Sequence, residues 1–326
     1  MNADDSRSPV AEHSAGERAS EAFELLGNET RLEILLALWE SIDPFDEEDA
    51  VRFSALRERV DTTDSSQFNY HLDKLVGHFV ESTDDGYVLS RAGLEFVQAV
   101  IAGAGIDQPT IEPTDVDVPC TLCGEQVQIS YEEGWVRVLC SACDGLWAER
   151  GDEPEGQLAK FSLPPAGLAN RSAAEIYAAA WVRSFQDIYA MLEGVCPTCS
   201  GTIERSIDVC ENHADEGVCP NCDRTTEVGV RVHCTVCKDS ARLTPGVAAK
   251  YHPAVVAFFH DHGLDLQYGF NDLEHIERRL AIGESETTVR SRDPLRVRVT
   301  HHIDGDEIAV DLDENLSVVA IDDSSS

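Results

Sequence analysis

Lysine is almost missing from this chain. Only Lys74, Lys160, Lys238 and Lys250 occur in 326 residues, and Lys and Arg together number 25 against 61 Asp and Glu. The formal net charge is −36. A surface this acidic would ordinarily exclude nucleic acid as a partner, because attraction to phosphate steers that binding. Acid spread evenly over the chain, with arginine in place of lysine and no acidic tail, fits a halophile proteome adapted to molar salt; a strongly acidic protein of ordinary salinity is the other reading. At about 1 M salt the Debye length is only about 3 Å. Local contacts then decide binding, and net charge does not exclude DNA.

Long apolar runs are absent too. No stretch approaches about 18 consecutive apolar residues, and the opening "MNADDSRSPVAEHSAGERAS" lacks the apolar segment of a secretory signal. The expected location is cytoplasmic, with no membrane partner. A phosphate-binding loop, a nucleophile elbow and an H-E-x-x-H helix are all missing, so an enzyme is not expected and no catalytic residue is assigned. Cysteine is confined to one region: all eleven lie between Cys120 and Cys237. In a reducing compartment such cysteines point to metal rather than disulfides.

The cysteines come in pairs. "CTLCGEQVQISYEEGWVRVLCSAC" sets Cys120 and Cys123 against Cys140 and Cys143 across a hairpin that turns at "YEEG", the spacing of a tetrahedral Zn²⁺ ribbon site. The remaining pairs are Cys196/Cys199, Cys210/His213, Cys219/Cys222 and Cys234/Cys237, and His213 stands where a twelfth cysteine would complete the set. Between the first two pairs and between the last two run strand-like stretches. A strand of about nine residues spans roughly 30 Å, so pairs adjacent in sequence do not easily share one ion. The nested solution is favoured: Cys196, Cys199, Cys234 and Cys237 at the base of an antiparallel hairpin, Cys210, His213, Cys219 and Cys222 at its tip. A crossed arrangement and a tip loop with spare thiols remain open. Twelve ligands make three Zn²⁺ sites with no free coordination position, and closed sites of this kind are structural. The short, mixed-ligand tip loop also raises the idea of a redox switch.

The expected fold class is α+β. Residues 1–16 read as a disordered tail, 17–105 as a helical and hairpin module, 106–117 as a Pro/Asp/Thr-rich linker and 118–150 as a zinc ribbon. Residues 151–194 read as linker and helix, 195–245 as a second ribbon with two nested sites, and 246–322 as a helix followed by a β-hairpin or meander. In that last region Pro253 opens the helix, Gly263 stops it, and Asp304-Gly305 marks a turn. His252, His260 and His262 are too far apart on a helix to chelate. His301 and His302 alternate across a strand, and Phe258 and Phe259 read as core.

The N-terminal module carries more information about function. "EAFELLGNETRLEILLALWE" predicts two helices parted at Gly27, with Leu32, Leu35, Leu36 and Trp39 as the apolar stripe of the second. "VRFSALRERV" is a short helix with Phe53, Leu56 and Val60 inward. In "SQFNYHLDKLVGHFV" the helical wheel turns Phe68, Leu72 and Leu75 inward and Ser66, Gln67, Tyr70, Asp73 and Lys74 outward, with Asp64 or Ser65 as N-cap. "FVESTDDGYVLS" is a hairpin, and "RAGLEFVQAVIAG" a closing helix.

At "LGNETRLEILLAL" and "FNYHLDKLVGHFVESTDDGYVLSRAG" the chain resembles the ArsR-like winged helix-turn-helix transcriptional regulators, and looks most like halophile-type members with appended zinc-ribbon regions. The specific resemblance covers about residues 20–104. It implies a recognition helix in the major groove of double-stranded DNA, a wing along the backbone, and a homodimer. On this sequence the recognition helix is about Ser65–Val76, with Ser66, Gln67, Tyr70 and Asn69 reaching base edges, Lys74 touching phosphate, and Arg57 and Arg59 as weaker phosphate contacts. Two departures matter. The wing, "STDDG", is acidic, and the metal-sensing thiols of the metalloregulatory members have no counterpart in this segment. The expected function is a sequence-specific DNA-binding regulator of transcription. The rival is an adaptor that docks a transcription-machinery partner through the same modules.

Overall fold

A computed structural model describes residues 15–45, 50–60, 64–103, 108–146, 155–214, 219–266 and 285–323. Most of the expected disordered tail lies outside these residues. The fold is mixed α+β, with helices and several antiparallel sheets. It divides into two units, residues 1–106 and 107–326.

The first unit is helical, with one small hairpin. Helix α1 spans Ala15–Leu26, α2 Glu29–Trp39, α3 Phe53–Arg59 and α4 Ser65–Leu75. The hairpin pairs β1 (Val80–Ser82) with β2 (Tyr87–Leu89), and α5 (Arg91–Ile101) closes the unit. Helices α2, α4 and α5 each start on a side-chain cap that satisfies otherwise orphaned N–H groups. The Asn28 side-chain oxygen Oδ1 accepts from Arg31 N–H, the Asp64 carboxylate from Ser66 and Gln67, and the Ser90 hydroxyl from Gly93. The core joins Ile34, Leu35 and Leu38 of α2 to Leu56, Val60, Phe68, Leu72, Leu75 and Val80. The stripe expected on α2 is corrected by one position. Ile34, Leu35, Ala37 and Leu38 are buried, whereas Leu36 is 37% exposed and Leu32 and Trp39 are only half-buried. "ILLALW" is apolar nearly all the way round, so its sequence cannot say which side faces in. The hairpin does not stand alone: Tyr87 exchanges both backbone hydrogen bonds with Val51, at 2.9 Å each. Gly86 permits that approach, because a Cβ there would lie 2.4 Å from the Val51 carbonyl oxygen.

The second unit holds three sheets. In the first, β3 (Ile111–Pro119), β4 (Gln126–Glu132), β5 (Trp135–Cys140) and β6 (Gln157–Ser162) pair in sequence order. Helix α6 (Ala173–Leu192) lies against one face, burying Ile176, Tyr177 and Ala180 on Val116, Val118, Ile129, Tyr131 and Val138. It opens on a capping box between Ser172 and Glu175. Two boundaries therefore move. Residues 111–119, expected within and just after the 106–117 linker, form an edge strand. Val116 and Val118 alternate inward there, and Pro113 sits in the register break between Ile111 and Thr114, where an edge strand tolerates it. Likewise β6 comes from the stretch expected as linker after residue 150.

The second sheet pairs β7 (Ile203–Val209) with β8 (Val228–Cys234) in antiparallel register from Ile203↔Cys234 to Val209↔Val228, and adds β9 (Ser240–Leu243). The third is a meander of β10 (Ser285–Arg292), β11 (Leu295–Ile303), β12 (Asp306–Leu312) and β13 (Val318–Asp323). It packs on α7 (Pro245–Ala249) and α8 (Pro253–Asp261) around Val255, Phe258, Phe259, Val299, Ile308 and Val310. The two phenylalanines are core, as expected. His252 caps α8, and His262 bridges the Phe258 carbonyl and the Asp306 carboxylate.

Candidate metal centres

The twelve expected ligands converge into three groups, and in each the ligating atoms all lie within 4.8 Å of one another. The groups are Cys120, Cys123, Cys140, Cys143; Cys196, Cys199, Cys234, Cys237; and Cys210, His213, Cys219, Cys222. The nested pairing is therefore the observed one, and the crossed arrangement is not. The paired strands β7 and β8 explain it: each carries one ligand pair at either end, about a strand's length apart.

None of the eleven cysteines is in a disulfide. Sulfur separations are 3.8 Å for Cys120–Cys143 and 3.5 Å for Cys123–Cys140, Cys196–Cys237 and Cys199–Cys234. A disulfide would need about 2.05 Å, whereas four thiolates held tetrahedrally at zinc's bond length of about 2.3 Å sit about 3.8 Å apart. These groups can hold metal ions, and their donors and spacing are compatible with zinc.

The backbone builds four of the ligand pairs in the same way. At Cys120, Cys196, Cys219 and Cys234 the ligand N–H donates to the carbonyl five residues on, at 2.6, 2.9, 2.9 and 2.7 Å. The same residue's carbonyl accepts from the fourth residue on: Gly124, Ser200, Asp223 and Lys238. That fourth residue is left-handed in every case, with φ of 80°, 58°, 55° and 68°. Three of the four are not glycine, so the closure holds them in a conformation unfavourable by about 1–2 kcal/mol.

The turns also direct N–H groups at sulfur. Leu122 donates to Cys120, Ala142 to Cys140 and Val236 to Cys234, each at 3.4 Å, and Ala214 donates to Cys219 at 3.3 Å. Donors of this kind favour the thiolate. At Cys234 the N–H groups of Cys237 and Val236 hold the thiol down to about 6. At Cys219 burial pushes the thiol up, but the N–H groups of Ala214, Asn221 and Cys222 outweigh it and bring it to about 6. Burial, with the neighbouring thiols, pushes Cys143 up to about 12 and Cys222 up to about 11. Each cluster thus prepares some thiolates and crowds others against them, an arrangement that a divalent cation relieves.

His213 answers the gap in the cysteine count. Its Nδ1 lies 3.4 Å from Cys222 Sγ, while Nε2 lies 3.4 Å from the Thr225 carbonyl oxygen. Donation from Nε2–H would leave Nδ1 free to ligate, the usual outer partner of a metal-bound histidine. A residue without any sequence signal fixes this tip to the hairpin. Arg224 is buried, and its guanidinium crosses Gly229 to reach Asp208 Oδ2 at 2.8 Å and the carbonyls of Thr226 and Glu227 at 3.4 and 3.2 Å. Arg231 meets the same Asp208 oxygen at 2.8 Å.

In the first unit, α4 turns Ser66, Gln67, Asn69, Tyr70 and Lys74 outward, with Tyr70 55% exposed. The Lys74 ammonium lies 5.9 Å from the Tyr70 ring centre. The Asn69 amide donates to Asp73 at 2.9 Å. Arg57 is exposed, but Arg59 is bonded to the Ser41 hydroxyl and the Ala37 carbonyl at the end of α2. The wheel did not mark His71, which is buried and has an unbonded Nδ1; burial, with Arg31 nearby, lowers its pKa.

The model of a domain of unknown function, DUF7351, matches residues 117–318, which is more than half of the chain and includes all twelve clustered ligands. The chain belongs to the DUF7351 family. A second domain of unknown function, DUF7347, matches residues 19–100, within the first unit. The DUF7351 match thus begins within the last residues of β3 and ends at the start of β13. No curated protein and no solved structure matches the chain.

Proposed function

We infer that this chain is a sequence-specific DNA-binding regulator of transcription, an ArsR-like winged helix-turn-helix with structural zinc ribbons appended. The observation that carries the reading is α4: a capped helix with its apolar residues in the core and an uninterrupted polar face of Ser66, Gln67, Asn69, Tyr70 and Lys74 outside. Short polar and amide side chains at the start of a helix are what read base edges in the major groove. The order α2, α3, α4 and hairpin supports the winged helix-turn-helix assignment, and the bonded state of Arg59 shifts weight for phosphate contact to Lys74 and Arg57.

The three clusters are zinc sites. Four protein ligands for each ion leave no open position for substrate or water, so zinc there stabilises folding rather than taking part in catalysis. In this reading the regulator works in the cytoplasm of a halophile, as a homodimer, at a salt concentration that screens its acidic surface.

The test is occupancy across the genome of the host, comparing the tagged protein with a Tyr70→Ala, Lys74→Ala double variant. Discrete promoter peaks that vanish in the variant are expected. Their absence, or persistence in the variant, would move the reading to an adaptor that docks a transcription-machinery partner. One observation favours that second reading: no Lys or Arg lies between Lys74 and Arg91, so the β1–β2 hairpin brings no cation to phosphate.

A further inference from the structure

The cations missing from the first hairpin are concentrated in another. Residues 290–298 hold Arg290, Arg292, Arg296 and Arg298, four of the chain's 25 basic residues, beside a single acid, Asp293. These residues form the β10–β11 hairpin, an antiparallel ribbon whose β10 is the edge of the four-stranded sheet. Val297 and Val299 are fully buried on the inward face, so the alternation of β11 puts Arg296 and Arg298 on the opposite face. Arg290 is exposed, at the bulge where the register shifts between Val289 and Ser291.

The four arginines are not equivalent. Arg298 is committed, through bonds to Asp311 at 2.7 and 2.9 Å and to Asp322 at 2.6 Å. Arg292 pairs with Glu227 at 2.6 Å. Arg290 and Arg296 have no ion-pair partner among the described residues, yet with Arg298 both act on the Asp311 carboxylate and help hold it below its ordinary range. Three guanidiniums thus act on one carboxylate of this sheet; Arg296 also donates to the Leu295 carbonyl at 2.7 Å, and its remaining N–H groups, like those of Arg290, enter no ion pair among the described residues. In a chain of net charge −36, this ribbon is a local concentration of cations that an anion can meet.

We propose that the outer face of the β10–β11 hairpin, through Arg290 and Arg296, is a second DNA-contacting surface that binds the phosphate backbone of the duplex. The proposal rests on the DNA-binding reading above and adds a surface to it. Charge complementarity identifies the occupant. Guanidiniums form paired hydrogen bonds to phosphate oxygens, and a two-stranded antiparallel ribbon fits a DNA groove. The Arg298–Asp311–Asp322 network holds the ribbon's charged face in place. This surface contributes affinity in any sequence, whereas α4 contributes choice of sequence.

The test uses the full-length, metal-loaded chain and a mixed-sequence DNA duplex, with binding followed by fluorescence anisotropy over a salt series. Each phosphate contact contributes about 0.9 to the slope of log affinity against log salt. An Arg290→Gln, Arg296→Gln variant is expected to lower that slope by about 2, and Arg171→Gln, a charge removed elsewhere, to leave it unchanged. Gln keeps the side-chain stem in place. If the double variant loses metal or unfolds, the single Arg290→Gln, at the exposed bulge, should lower the slope by about 1. A wild-type slope in a folded variant overturns the proposal while leaving recognition through α4 intact. A wild-type chain that binds no duplex at any salt overturns both. A Tyr70→Ala, Lys74→Ala chain that keeps salt-dependent binding to the mixed duplex supports the second surface directly.

Discussion

The two units of this chain solve the same problem with different materials. The first buries a continuous apolar core, in which Leu56, Phe68, Leu72 and Leu75 are completely sequestered, and it contains no cysteine. The sheet of β7, β8 and β9 has far less to bury. Its cluster of seven buried residues is Met191, Cys196, Ile203, Val230, Val232, Cys234 and Leu243, so two of the seven belong to a group that can hold a metal ion. There the hydrophobic interior and the candidate ligand set share residues. A small core that cannot overcome chain entropy alone needs a staple. The lesson is that one polypeptide can be half self-sufficient and half conditional.

Metal removal is the strongest way to break that comparison. A structural zinc contributes about 10–16 kcal/mol to the folding of small domains. A strong chelator is therefore expected to expose β3–β9 to protease while the helices of the first unit persist, as read by limited proteolysis and far-UV circular dichroism. Simultaneous loss of both units would end the distinction. On a finer scale, His213→Ala should lower the metal content from three ions per chain to two by elemental analysis, because the tip group shares no ligand with the other two.

The converse perturbation belongs to the first unit. Leu72→Ala removes a fully buried side chain and should cost about 2–5 kcal/mol of that unit's stability, with metal content unchanged. Loss of metal in this variant would couple what the comparison separates.

A smaller effect sharpens the picture within the second unit. His301 is fully buried in the meander with neither ring nitrogen bonded, and burial, with Lys250 and His302 nearby, lowers its pKa to about 3. The unfolded chain, with an ordinary histidine pKa of about 6.5, takes up this proton first. The neutral ring's contribution is therefore complete above about pH 6.5 and is lost as pH falls, by about 2 kcal/mol between pH 6.5 and 5. His301→Phe should flatten this part of the pH–stability profile in denaturant titrations. The smallest expected change is at the left-handed Lys238: replacing it with Gly should raise stability by about 1 kcal/mol, visible as a later thermal midpoint.

Much of the metal architecture was legible beforehand, because strand length forbids adjacent pairs from meeting and leaves nesting as the simple alternative. The cap at Asp64 was equally open to reading, since Asp before an apolar-periodic run carries a local mechanism, whereas the caps at Asn28 and Ser90 came only with the structure. Other features had no local signature. The strand over 111–119 hides behind Pro113, which reads as a breaker until the strand is known to be at an edge. The inward side of α2 is decided by neighbours distant in sequence. Arg224 and Asp208 meet across 16 positions, and nothing in either segment announces the other. The lack of an ion-pair partner for Arg290 and Arg296 among the described residues emerges only once Arg292 and Arg298 are seen to be occupied.

The nesting of the two clusters around β7 and β8 also imposes a sequence of events. His213 and Cys219 are six positions apart, whereas Cys199 and Cys234 are 35 apart. Closing the longer loop in a bare chain costs more entropy than closing the shorter one. Once an ion has joined the tip, the strands leaving it are already side by side, and the base pairs arrive as near neighbours. Assembly is then expected to run as a zipper from the turn downward, and disassembly to start at the open end, where exposed Cys199 and Cys237 are the first thiols a competing chelator would meet.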